Sequence, residues 1–154
     1  MRINSALKVL GKQKVTIFNK DGSIKEVEKG KNLIVNAGKE FASKLLNGVS
    51  VLPFKYIALG TGATEALVGD TELDVETSAT GLARKEATCD YEVDYKATIN
   101  ATFTNGSGGS VTLKEAGIFD AGAVGNMLAR RVFLSVKILG DGESVAIEWT
   151  ITFA

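Results

Sequence analysis

One cysteine, Cys89, no histidine, and 18 carboxylates set against 18 basic side chains bound the chemistry open to this chain. The absence of histidine removes the commonest general base and the commonest transition-metal ligand together. A tetrahedral zinc site built from Cys and His cannot be completed within one chain. Ser-His-Asp and Cys-His catalysis lack their base for the same reason. Carboxylate or Ser-Lys chemistry is what remains, and it needs positive evidence of its own.

Four groups of residues were candidates. Gly60-Thr61-Gly62 closes the apolar run "YIALGTG" in the manner of a phosphate-cradling turn. It does not fit a P-loop, which needs Gly-x-x-x-x-Gly-Lys-Ser/Thr. It does not fit a dinucleotide fingerprint either: the third glycine would fall at Glu65, placing a carboxylate where a pyrophosphate sits. The glycines therefore read as a tight exit from a strand. Glu65, Asp70, Glu72, Asp74 and Glu76 offer oxygen ligands for a hard cation, but without EF-hand spacing they read as a solvated acidic loop and not a metal site. Cys89, next to Asp90, has no electropositive neighbour to activate it and is expected as a small buried residue. Lys114-Glu115 is a conceivable acid-base pair on which nothing else converges.

The elements that would position these residues are mostly strands. Residues 15–35 predict a β-hairpin turning at Asp21-Gly22, followed by a further extended segment. "NAGKEFASKLLNG" predicts one amphipathic helix, with Asn36 as N-cap, Asn47-Gly48 as stop, and a stripe formed by Phe41, Leu45, Ala42 and Leu46. Lys55–Leu59 predicts a short buried strand, and residues 60–81 a long surface loop. Strict alternation predicts a strand over 93–104, with Val93, Tyr95, Ala97, Ile99, Ala101 and Phe103 inward. Further strands are expected at 111–113, 131–138 and 145–153, with Trp149 in the core. In 131–138, Val132, Leu134, Val136 and Ile138 share one face. Phe133 falls out of phase with them, beside Arg131, Ser135 and Lys137, and so marks an interface or a second buried face. The expected fold is mainly β, an antiparallel, jelly-roll-like β-sandwich with one short helix. It comprises an N-terminal arm (1–14) and a single β-rich domain (15–154).

A net charge of zero argues against a general nucleic-acid or anionic-membrane binder. No apolar stretch approaches the roughly 20 residues of a spanning helix, and the start lacks the apolar region of a signal peptide. Basic residues lead the chain, with Arg2, Lys8, Lys12 and Lys14 ahead of any acid; they read as a solvated tail first and as an arm touching an acidic surface second. Arg130-Arg131 is a second basic pair, suited either to inter-subunit ion pairs or to a solvated edge.

Taken in order, "NLIVNAGKEFASKLL" (32–46), "FKYIALGTGATE" (54–65), "DTEL" (70–73), "GLARKEAT" (81–88), "LKEAGIFDA" (113–121), "MLARRVF" (127–133) and "VAIEWTITF" (145–153) resemble a family of small virion proteins of tailed bacteriophages. Members are described variously as structural, decoration or tail-fibre-associated. The resemblance begins near residue 30 and carries no catalytic residues. It implies a non-enzymatic capsid decoration (cement) protein without cofactor, made in the host cytoplasm and residing in the virion. Its expected partners are the major capsid protein or other virion proteins and further copies of itself, as a trimer or dimer, with no nucleic acid and no membrane. The expected contact residues are Arg2, Lys8, Lys12, Lys14, Thr61, Glu65, Arg130, Arg131 and Phe133. A neck, tail or fibre component is the alternative within that class. A receptor- or carbohydrate-binding module would require aromatics over an exposed polar groove. A carboxylate-dependent hydrolase would require two acids facing across a cleft.

Overall fold

A computed structural model describes residues 6–49 and 52–154. The fold is mainly β, as the alternation and Gly-rich turns predict. Its strands are β1 (Val9–Phe18), β2 (Ile24–Ile34), β3 (Tyr56–Gly60), β4 (Lys85–Glu86), β5 (Thr88–Glu92), β6 (Lys96–Thr104), β7 (Val111–Phe119), β8 (Met127–Leu139) and β9 (Ser144–Phe153), with helix α1 (Asn36–Leu46) after β2. All strand pairs are antiparallel, in the order β4-β3-β7-β8-β2-β1-β9-β6-β5.

This sheet curls nearly closed. A five-stranded half (β2-β1-β9-β6-β5) supplies Trp149, Phe103, Ile147 and Val15 to the interior, and a four-stranded half (β4-β3-β7-β8) supplies Ile57, Leu59, Ile118 and Phe133. Ala87 alone separates β4 from β5, so one segment serves both halves at that end. At the other end β2 and β8 pair only through Leu33↔Arg130 and Ile34↔Ala129, then diverge. Trp149 is fully buried, and its indole N–H donates to Asn32 Oδ1 at 2.7 Å.

A smaller core of Val35, Ala58, Leu73, Phe119 and Met127 lies on the outer side of the four-stranded half. Helix α1 packs against β8, where Gly38 lies so close to the Leu128 backbone that a Cβ would meet Leu128 O at 2.3 Å. The expected N-cap shifts by one residue: Val35 occupies the cap position and makes no side-chain cap bond. The Asn36 N–H instead donates to Val68 O at 2.7 Å, so the long loop satisfies this orphan helix donor. Gly48, with φ +75, ends the helix as its sequence predicts. The expected apolar stripe is only partly covered, since Leu46 is exposed.

Three strand expectations are corrected. The arm proposed for 1–14 is strand from Val9 onward, paired with both β2 and β9. The single strand proposed for 93–104 is the end of a hairpin: β5 stops at Glu92 and β6 starts at Lys96. Asp94 and Tyr95 between them adopt left-handed φ values of 65 and 63. Val93 and Tyr95 kept the alternation in phase by coincidence and are exposed. Cys89, expected inside, lies exposed on β5, because β5 pairs only with β6 and its other edge is open.

Candidate interaction surface

Adjacent arginines on β8 leave on opposite sides of the sheet, as strand geometry requires. Arg130 points outward, beneath the 60–81 loop. Its Nε donates to Glu115 Oε2 at 2.8 Å, Nη1 donates to Asp70 Oδ2 at 2.7 Å, and Nη2 donates to Thr64 O at 3.0 Å. Burial alone would lower the Arg130 pKa, but Asp70 and Glu115 hold it above its ordinary value. Glu115, fully buried, also accepts the backbone N–H groups of Val75 at 2.9 Å and Asp74 at 3.2 Å. Its partner in the sequence-level pair, Lys114, takes no part in these bonds. One arginine and one glutamate thus clamp a loop that composition alone marks as solvated.

The glycines of the GTG turn belong to this clamp. A Cβ on Gly60 would lie 2.5 Å from Glu115 Oε1 and 2.7 Å from Val75 O. Thr61 N–H donates to Val75 O, and Thr77 N–H to Leu59 O, so the loop folds back as a short ladder on the end of β3. The acidic residues are divided by this arrangement. Asp70 pairs with Arg130, and Glu76 with the nearly buried Arg84. Glu65, Glu72 and Asp74 are exposed and have no ion-pair partner among the described residues. No cluster of three or more His, Cys, Asp or Glu suited to a metal is found among the described residues.

Arg131 points inward, and its expected place in an interface is corrected. Its guanidinium pairs with Glu28 and donates to Gln13 O at 3.2 Å and to Gln13 Oε1 at 3.1 Å. It passes over Gly30, where a Cβ would meet Nη2 at 2.5 Å. Burial lowers its pKa, and the Glu28 charge only partly offsets this. Lys137, fully buried, bonds Glu26 and Glu28, the latter at 2.7 Å. Glu28 also accepts the backbone N–H of Leu134 at 3.0 Å and of Ser135 at 3.2 Å. Its carboxylate therefore takes the place of β2 carbonyls where β2 and β8 separate. Burial would raise the Glu28 pKa, but Lys137 and these N–H groups bring it below the usual carboxylate range. Two acids and two bases make the seam neutral.

Of the two readings of Phe133, the buried face is the one found: it is a core residue, 7% exposed, and Leu134 is 83% exposed. Between the pairs Leu113↔Lys137 and Glu115↔Val132, β8 inserts four residues against the single Lys114. Leu134 and Val136 face outward by alternation, and at the bulge Ser135 joins them out of phase.

The basic leading residues gather on the outer face of the five-stranded half. Lys12 pairs directly with Lys31, and Lys14 with Lys29. With Glu148 and Thr150 they line a shallow groove of about 450 Å³. Lys14 reaches Glu148 at 3.4 Å. Lys29 and Lys31 are members that charge counting missed, because they follow an acidic stretch and join the patch only through strand register. Lys8 sits just before β1, its backbone N–H and C=O exchanging bonds with Ala154. Arg2 lies outside the described residues. No helix among the described residues is long and apolar enough to cross a membrane. Comparison with protein-family models finds no match, and comparison with curated proteins finds no similar sequence.

Proposed function

We propose that this chain is a non-enzymatic structural protein of a tailed-phage virion, a capsid decoration protein that holds a shell by surface contacts. The observation that carries this reading is the clamped 60–81 loop. Arg130 and Glu115 hold the loop against the four-stranded half, so the exposed carboxylates Glu65, Glu72 and Asp74 are displayed in set positions. A long loop that is already ordered loses little entropy on docking, which favours binding through it. Basic patches on a shell protein are the complementary surface. The ordered segments that resemble small phage virion proteins support the same reading. The buried ionised groups Glu115, Arg130, Glu28, Arg131 and Lys137 serve as tethers between loop, strand and strand, which suits a protein built for rigidity.

The test is to mix purified protein with capsids lacking it and image the particles. Decoration predicts density at regular lattice positions and greater resistance of the shell to heat. The variant Glu65→Lys/Glu72→Lys should bind more weakly while melting at the same temperature. Recovery in tails or fibres with none on shells would instead favour a neck, tail or fibre component.

A further inference from the structure

The outer face of the five-stranded half carries its charge in an ordered gradient. Strand register lays one transverse row across it as Asp90, Thr98, Thr150, Lys12 and Lys31. Glu92 adds a second acid at the open edge of β5, directly opposite Lys96 on β6, and Lys29 extends the basic side on β2. Like charges directly opposite each other on a sheet are destabilising, yet Lys12↔Lys31 and Lys14↔Lys29 are two such pairs side by side. Glu148 neutralises one of these four lysines; the other three, and Asp90 and Glu92, have no ion-pair partner among the described residues. Such a face is complementary to its own image. A two-fold axis along the central strand β9 reverses the row, setting the acidic edge of one copy over the lysines of the other, twice.

We infer that two copies of this chain associate face to face through the five-stranded half, with β5 of each over β2 of its mate, so that Asp90 faces Lys31 twice. The contact is isologous and closes at two copies. Five strands spaced about 4.8 Å apart and some 30 Å long present about 700 Å² per copy. That is near the roughly 800 Å² each partner contributes to a stable interface. The face is threonine- and lysine-rich rather than apolar, so the dimer is governed by ionic strength. It leaves the 60–81 loop, on the other half, free.

Sedimentation equilibrium of the purified chain tests this without any capsid, so its outcome is separate from that of shell binding. At about 0.05 M salt the mass should be twice the 16.3 kDa of one chain, and at about 1 M salt, where the Debye length is near 3 Å, it should fall toward one. Lys12→Glu/Lys31→Glu and Asp90→Lys/Glu92→Lys should each be monomeric, and an equimolar mixture of the two should regain the dimer. Melting curves establish that both variants are folded; if the first is not, Lys31→Glu alone replaces it. A monomer at low salt, a dimer indifferent to both variants, or a mass of three or more copies would overturn the proposal. So would a monomer that uses these lysines to bind duplex DNA or polyglutamate.

Discussion

Glu115 on β7 and Arg130 on β8 form an ion pair of 2.8 Å in which the two side chains are 0% and 3% exposed. The pair lies outside the main core, under a loop, and each partner has a second tie to that loop through Val75 N–H and Asp70. The clamp therefore couples the order of the 60–81 segment to the pairing of two central strands.

Removing one partner of a buried pair strands the other. Glu115→Ala should destabilise the fold by about 3–5 kcal/mol, with Glu115→Gln costing less because an acceptor for the loop N–H groups survives. Urea unfolding measures the first. Limited proteolysis should show early cleavage within 60–81 in both variants. A loop as resistant as in the unaltered chain would rule out the clamp.

Gly60 and Gly69 provide a matched comparison. Gly60→Ala sets a methyl against Glu115 and the Val75 carbonyl, and should cost about 1–3 kcal/mol. Gly69 has nothing within 4 Å of a Cβ and no left-handed φ. Gly69→Ala should be neutral or stabilising by up to about 1 kcal/mol. Equal melting temperatures for the two variants would contradict this assignment of the turn.

The phase of β8 is tested by neighbours. Phe133→Ala should cost about 3–5 kcal/mol as a core truncation, and Leu134→Ala no more than about 0.5 kcal/mol. The reverse order in thermal unfolding would put the Leu134 face of β8 in the core instead.

Acid should act on the seam through Glu28. Its folded-state pKa is below the unfolded value of about 4.3. The ionised form therefore stabilises the fold fully at pH values above that, and the contribution disappears as pH falls through the lower, folded value. Glu28→Gln should be less stable at neutral pH by roughly 3 kcal/mol and should lose less stability than the unaltered chain between about pH 5 and 3. Identical slopes in urea midpoints against pH would show that Glu28 does not carry the acid sensitivity.

Much of the strand content was readable from local pattern. β9 alternates without interruption from Val145 to Phe153, and the structure buries Val145, Ile147, Trp149 and Ile151 as that period requires. The helix stop at Gly48 was equally legible, because a left-handed residue after a helix needs no tertiary contact. The misreadings fall where two rules compete. Period two runs unbroken through Val93 and Tyr95, although the backbone turns there. On β8 period two persists, but the face it buries is the one with Arg131, Phe133, Lys137 and Leu139, because the seam draws the two cations inside, and the more apolar set Leu134, Val136 and Ile138 faces solvent.

Composition and local period were enough to read a chain without histidine, an antiparallel strand-and-turn plan, and a charge balance of zero. These follow from composition and from periods of a few residues. Tertiary structure alone decided where the charges went. Glu28 and Lys137 are 109 positions apart, and Lys12 meets Lys31 only through strand register. An ionised side chain is buried only when a partner from elsewhere in the chain is delivered to it, and that delivery depends on topology. Opposite charges that meet inside the seam become tethers, whereas like charges brought together by strand register stay on an outer face.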